Sequence, residues 1–276
     1  MDKLLFGTAG IPIKTEPRTY INAFKDLLEL NLGCMELEFV RGVNMNAKTQ
    51  VEVREKASAV NLALTAHGPY YINLNAQEDE KIQASIKRIL DTARVTYACG
   101  GYSIAFHAGF YMGGDKEKVY GQIKAGMSEI IDTLKKENIK IWIRPETTGK
   151  TTQWGDLDEI IRLSNEFDMV LPCVDFSHLH ARSVGKFNTY DEFAGVFEKI
   201  GKEIGDYALE NFHAHIAGIE YSAKGEKKHL MLKESDMNYK DLIKAFKDFN
   251  VKGTIICESP TMEDDAVLLQ ETYNSI

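Results

Sequence analysis

Only four cysteines occur in 276 residues, at positions 34, 99, 173 and 257, and no two share a Cys-x-x-Cys spacing. They read as small buried hydrophobes, and a reduced, intracellular compartment fits them. Prolines are few, six in all, and dispersed. With no Ser-rich linker and no low-complexity segment, nothing marks a domain boundary. No apolar run approaches the ~20 residues that a membrane span needs. The N-terminal MDKLLFGTAG lacks a charged-then-apolar leader pattern, so a cytoplasmic protein is expected. Positive charge is not in excess: the net charge is −8 and the isoelectric point about 5.5. That balance counts against a broad basic face coating nucleic acid. A local basic groove stays open, and bound metal cations would offset part of the charge. Two catalytic signatures are also missing. The first loop, GTAGIPIK, has no GxGxxG spacing, and no GxSxG nucleophile elbow occurs.

What is present alternates. Eight short apolar stretches read as strands of a sheet covered on both faces: 3–7, 34–40, 62–67, 102–107, 140–146, 169–175, 211–216 and 253–258. Amphipathic helical patterns lie between and after them, at 19–32, 78–98, 117–138, 156–167, 189–204, 239–249 and 262–276. The segment from 78 begins acidic and turns basic, as a helix dipole favours, and Asp156 is placed to cap the helix that follows it. Eight strands in alternation with helices predict an α/β fold, a (β/α)8 barrel in one domain over residues 1–276.

A barrel carries its active site at the C-terminal ends of its strands, and the polar residues fall there. The third to sixth strands end in His67, His107, Glu146 and Asp175, with His178 and His180 just beyond. The seventh carries His213 and His215, the eighth ends in Glu258, and His229 lies in the loop between. A single histidine is ordinarily a hydrogen-bonded core or surface residue. All seven histidines at one set of strand ends, and none on a helical pattern, is a different matter. Imidazole plus carboxylate suits zinc, manganese or iron, and two such ions about 3.5–4 Å apart clamp both oxygens of a phosphoryl displacement.

The segments AHGPYYINL (66–74), FHAG (106–109), RPETTGK (144–150), CVDFSHLHAR (173–182), HIAGIEY (215–221), GEKKHL (225–230) and CESP (257–260) sit on these strand ends in order. Together they resemble endonuclease IV, the zinc-dependent apurinic/apyrimidinic endonucleases of the xylose-isomerase-like TIM barrels, with RPETTGK and HIAGIEY closer to the archaeal-type wording. The resemblance implies two or three zinc ions, with manganese an alternative. His67, His107 and Glu146 would hold the first ion. Glu146, Asp175, His215 and Glu258 would hold the second, with Glu146 bridging and a hydroxide between the ions attacking phosphorus. Glu146 and Glu258 would be the catalytic carboxylates. His178 and His229 match the third site, but Lys227 stands where an aspartate is expected, with Glu226 beside it. Tyr70 matches a tyrosine that enters the base stack of DNA, and Tyr71 falls where an apolar wedge is usual. An abasic nucleotide has little stacking to lose when flipped.

The resulting expectation is a monomeric hydrolase of DNA base excision repair. It would cut double-stranded DNA 5′ to an abasic site. A metal-dependent sugar isomerase or epimerase on the same barrel, and a degenerate barrel that binds metal or DNA without turnover, are the alternatives. His180 and His213 are extra to the family pattern and fit ligand-orienting roles. Arg144 is placed for a carboxylate or a phosphate. Lys150, Lys224, Lys227 and Lys228 are placed for phosphate contacts or plain solvation.

Overall fold

The computed structural model describes all residues, Met1–Ile276. In chain order the elements are β1 (Leu4–Ala9), α1 (Tyr20–Glu29), β2 (Cys34–Glu38), α2 (Ala47–Ala59), β3 (Ala63–His67), α3 (Asp79–Ala98), β4 (Ser103–Phe106), β5 (Gly109–Phe110), α4 (Lys116–Lys136), β6 (Trp142–Pro145), β7 (Gln153–Trp154) and α5 (Leu157–Ser164). There follow β8 (Val174–Asp175), α6 (Phe176–Arg182), α7 (Tyr190–Glu203), α8 (Asp206–Leu209), β9 (Phe212–Ile216), β10 (Gly218–Ser222), β11 (Gly225–Leu230), α9 (Tyr239–Asp248), β12 (Gly253–Cys257) and α10 (Met262–Ser275).

Eight of the strands are parallel, in the order β6-β4-β3-β2-β1-β12-β9-β8. The first strand pairs with the last, Leu4 opposite Gly253 through Thr8 opposite Cys257. That pairing of chain ends, with helices between strands, is the (β/α)8 arrangement expected from the alternation.

The chain divides into two compact units. One comprises Met1–Met35, Gly149–Thr151 and Cys173–Ile276, the other Glu36–Thr148 and Thr152–Pro172. The core of the first is aromatic. Phe176, Phe193, Phe197, Phe212 and Phe246 pack with ring centroids 4.8–6.1 Å apart, in the edge-on and tilted geometries that ring quadrupoles favour. In the second unit α3 and α4 bury Ile86, Ile89, Ile123, Ile130 and Leu134. Asp156 caps α5 as expected, and Glu159 completes a reciprocal capping box.

Several segments depart from the pattern expected from the sequence, three of them near the candidate site. The sixth predicted strand, 169–175, keeps only Val174–Asp175, plus a bridge from Val170 to Ile143, because Pro172 has no N–H to give a ladder. His178 and His180, expected off any helix, both lie on α6, which starts directly after Asp175. The Asp175 side chain accepts the His178 N–H at 2.7 Å and caps that helix. His229 lies on the hairpin of β10 and β11, and not in a loop. No helix is long and apolar enough to cross a membrane.

Candidate metal centre

In the unit that carries β3, β4 and β6, three strand ends deliver His67, His107 and Glu146. His67 Nε2 lies 2.9 Å and His107 Nε2 3.1 Å from the same oxygen, Glu146 Oε2. Glu146 is buried to 1% exposure and His67 to 5%. The other ring nitrogen of His67, Nδ1, donates to the Gly68 carbonyl at 2.8 Å, which turns Nε2 toward the carboxylate. Burial alone would lower the pKa of His67. The Glu146 hydrogen bond and the charges of Glu146, Glu38 and Glu36 outweigh it and push the imidazole up to about 10. Glu36 and Glu38 alternate on β2 and so share one strand face. The E-x-E spacing is the sequence signal for these two acids; the strand expected over 34–40 runs past them, whereas β2 ends at Glu38.

In the other unit, the ladder places Asp175 opposite His215. Ligand atoms of Asp175, His215 and Glu258 lie within 4.8 Å of one another, as do those of Asp175, His178 and His229. His215 Nδ1 is 3.5 Å from Glu258 Oε1, and His178 Nδ1 is 3.2 Å from Asp175 Oδ2. His229 Nδ1 donates to the Glu258 carbonyl at 3.1 Å. Its Nε2 is buried and has no hydrogen-bond partner. The nearest carboxylate oxygen, Glu258 Oε2, is 3.9 Å away.

These residues fit a divalent metal. A ligating histidine usually has one ring nitrogen fixed by a carbonyl or carboxylate while the other serves the ion. His67 and His229 show that pattern. The donor set, imidazole nitrogen with carboxylate oxygen, is that of zinc or manganese sites.

The extra histidines go elsewhere. His180 turns Nδ1 to the Phe187 carbonyl and Nε2 to Asp236 Oδ1, each at 2.9 Å, so it clasps a loop. His213 sits beside His215, and with Cys173 the two form a buried group whose ligand atoms lie within 4.8 Å. Sequence pattern alone makes Cys173 a plain hydrophobe. Arg144 is 1% exposed and donates to Ser103 Oγ at 2.7 Å and to the Pro172 carbonyl at 2.9 Å. In these two bonds its partners are a hydroxyl and a backbone carbonyl. Lys227 ion-pairs with Glu220, and Lys228 lies 3.5 Å from that same residue. Tyr70 and Tyr71 are 68% and 70% exposed, so neither is packed under the following helix.

Metal uptake should release a proton from His67. A ligating imidazole must be neutral, whereas His67, pushed up to about 10, holds its proton at neutral pH. Titration calorimetry of zinc into stripped protein, in buffers of differing ionisation enthalpy, is expected to show at least one proton released per chain. Replacing His67 by alanine should remove that release.

A model of the family described as Xylose isomerase-like TIM barrel matches residues 24–274. Among curated proteins, the uncharacterized protein MJ0133 of Methanocaldococcus jannaschii is 47% identical over 273 residues, 99% of this chain and 98% of that one. The probable endonuclease 4 of Acholeplasma laidlawii is 24% identical over 152 residues, 54% of this chain and 51% of its own. Among solved structures, a D-tagatose 3-epimerase-like protein superposes with a TM-score of 0.75 at 16% identity, covering 98% of this chain and 96% of its own. Endonuclease IV from Thermus thermophilus gives 0.73 at 16% identity, covering 98% of each chain. These two likenesses show the fold alone.

Proposed function

Because the chain belongs to the xylose isomerase-like TIM barrel family, we propose that it is a zinc-dependent endonuclease that hydrolyses duplex DNA 5′ to an abasic site. The observation that carries this reading is the ligand inventory. Five buried or half-buried histidines (67, 107, 178, 215 and 229) stand with Glu146, Asp175 and Glu258. That is more imidazole than proton transfer beside a single metal requires, and two exposed tyrosines follow His67 closely. The sequence match to a probable endonuclease 4 points the same way.

In this reading His67, His107 and Glu146 hold one ion. Asp175, His215 and Glu258 would hold a second. Bound divalent ions supply charge to the scissile phosphate and lower the pKa of water. The chain's own carboxylates would do the positioning, Glu146 or Glu258 accepting a hydrogen bond from the attacking water. Tyr70 fills the gap left by the missing base, with Tyr71 beside it.

The test is incision of a labelled duplex bearing one abasic site, beside an undamaged control, after zinc loading. Cleavage confined to the 5′ side of the lesion and abolished by chelator is expected. A fully loaded protein that cuts neither duplex would refute the nuclease. Ketose sugars would then be assayed, as the epimerase reading requires.

Tyr70→Ala should weaken binding to the abasic duplex by about 5- to 150-fold, from stacking worth roughly 1–3 kcal/mol per base. Binding to undamaged duplex should barely change. Tyr71→Ala should have the smaller effect. Equal losses on both duplexes in a fluorescence titration would count against the wedge.

A further inference from the structure

The metal reading leaves one position unexplained, because a lysine occupies the place of an expected carboxylate. The hairpin of β10 and β11 accounts for it. Its register runs Gly218 opposite Leu230, Ile219 opposite His229 and Glu220 opposite Lys228, then jumps to Tyr221 opposite Glu226. Lys227 is the extra residue of a β-bulge. Residues directly opposite in an antiparallel pair share a face, and alternate residues along a strand do too. In an unbroken ladder Lys227 would therefore lie on the face of His229. The bulge shifts the alternation by one. It places Glu226 with Tyr221, Ile219 and His229, and turns Lys227 to the opposite face, where it meets Glu220.

The contacts agree with that register. Glu226 Oε2 is 3.5 Å from His178 Nε2, and the rings of His178 and His229 are 6.0 Å apart. The Glu226 N–H donates to the Gly149 carbonyl at 3.0 Å. Gly149 leaves room for the carboxylate: a Cβ there would stand 2.7 Å from Glu226 Cβ, 2.8 Å from its Oε2 and 3.0 Å from His178 Cδ2. His229 Nε2 is buried without a hydrogen-bond partner.

We propose that the bulge at Lys227 delivers Glu226 as the carboxylate ligand of a third divalent ion, with His178 and His229. This rests on the metal-centre reading but not on the substrate. It also accounts for the glycine of RPETTGK as the residue that makes space for Glu226.

The test counts ions. Full-length protein is stripped, reloaded with Zn2+, desalted and measured by mass spectrometry, with folding checked by circular dichroism. Wild type is expected to keep three ions, Glu226→Gln two and Lys227→Ala three. Gly149→Ala should drop to two with every ligand still present. The proposal is overturned if Glu226→Gln keeps three, if Lys227→Ala falls to two, or if wild type never exceeds two. Incision by the same preparations separates the two readings. Three ions without incision would remove the nuclease and leave Glu226 a ligand. Incision by a Glu226→Gln protein that keeps all three ions would remove only the ligand.

Discussion

Glu146→Gln is expected to lower incision of the abasic duplex by on the order of a thousandfold or more, as loss of a positioned charge at the reacting centre commonly does. Glutamine has nearly the same volume, so the 1% exposed side chain should repack without a cavity. What changes is charge. Two imidazoles face one oxygen of Glu146, at 2.9 and 3.1 Å. With an amide there, a cation loses its only negative ligand in that trio. The same variant should move His67. Glu146 supplies the largest contributions that raise this histidine, so its imidazole should titrate well below 10 in the metal-free variant. Single-turnover incision, ion counting and imidazole NMR read the three effects separately. An unchanged incision rate would exclude Glu146 from the chemistry, whatever the ion count.

The strand ends are legible in the sequence because two simple rules coincide there. A parallel strand covered on both faces is apolar along its length, so an imidazole or carboxylate at its end stands out. His67, His107, Glu146, Asp175, His215 and Glu258 are all found that way. What escapes depends on register or on tertiary partners. The helix at Ala47–Ala59 buries only Val53 and Ala57, so its pattern is too polar to show a stripe. The mini-sheet of β5 and β7 has two residues per strand, below any periodicity. Alternation puts Lys227, and not Glu226, in line with His229, because one inserted residue in a hairpin is invisible without knowing what pairs with what. His180 looks like a site residue by position, but the Phe187 carbonyl and Asp236 draw both of its nitrogens into a loop clasp. That contact depends on where residues 187 and 236 fold.

Stripping the metal is expected to lower the melting temperature by about 10 °C near neutral pH. An ion present at roughly a thousand times its Kd stabilises the folded chain by about 4 kcal/mol. For a chain of this size each kcal/mol shifts the midpoint by roughly 2–4 °C. The stripped protein also leaves Asp175 and Glu258 as close carboxylates with no cation between them, which works in the same direction. The gap should widen as pH rises. In the stripped protein His67 is raised to about 10 by its partners, against an unfolded value near 6.5. A raised histidine contributes stability that is fully present below the unfolded pKa and is lost as pH climbs through the folded one. The stripped protein therefore weakens between about pH 6.5 and pH 10. The loaded protein has already given up that proton, and its ions bind more tightly as ligands deprotonate. Melting curves with and without chelator, near pH 7 and at about pH 9, measure both halves of the argument. A chelator with no effect on the midpoint would mean that these residues hold no structural ion. A gap that narrows at the higher pH would mean that His67 does not exchange its proton for a metal.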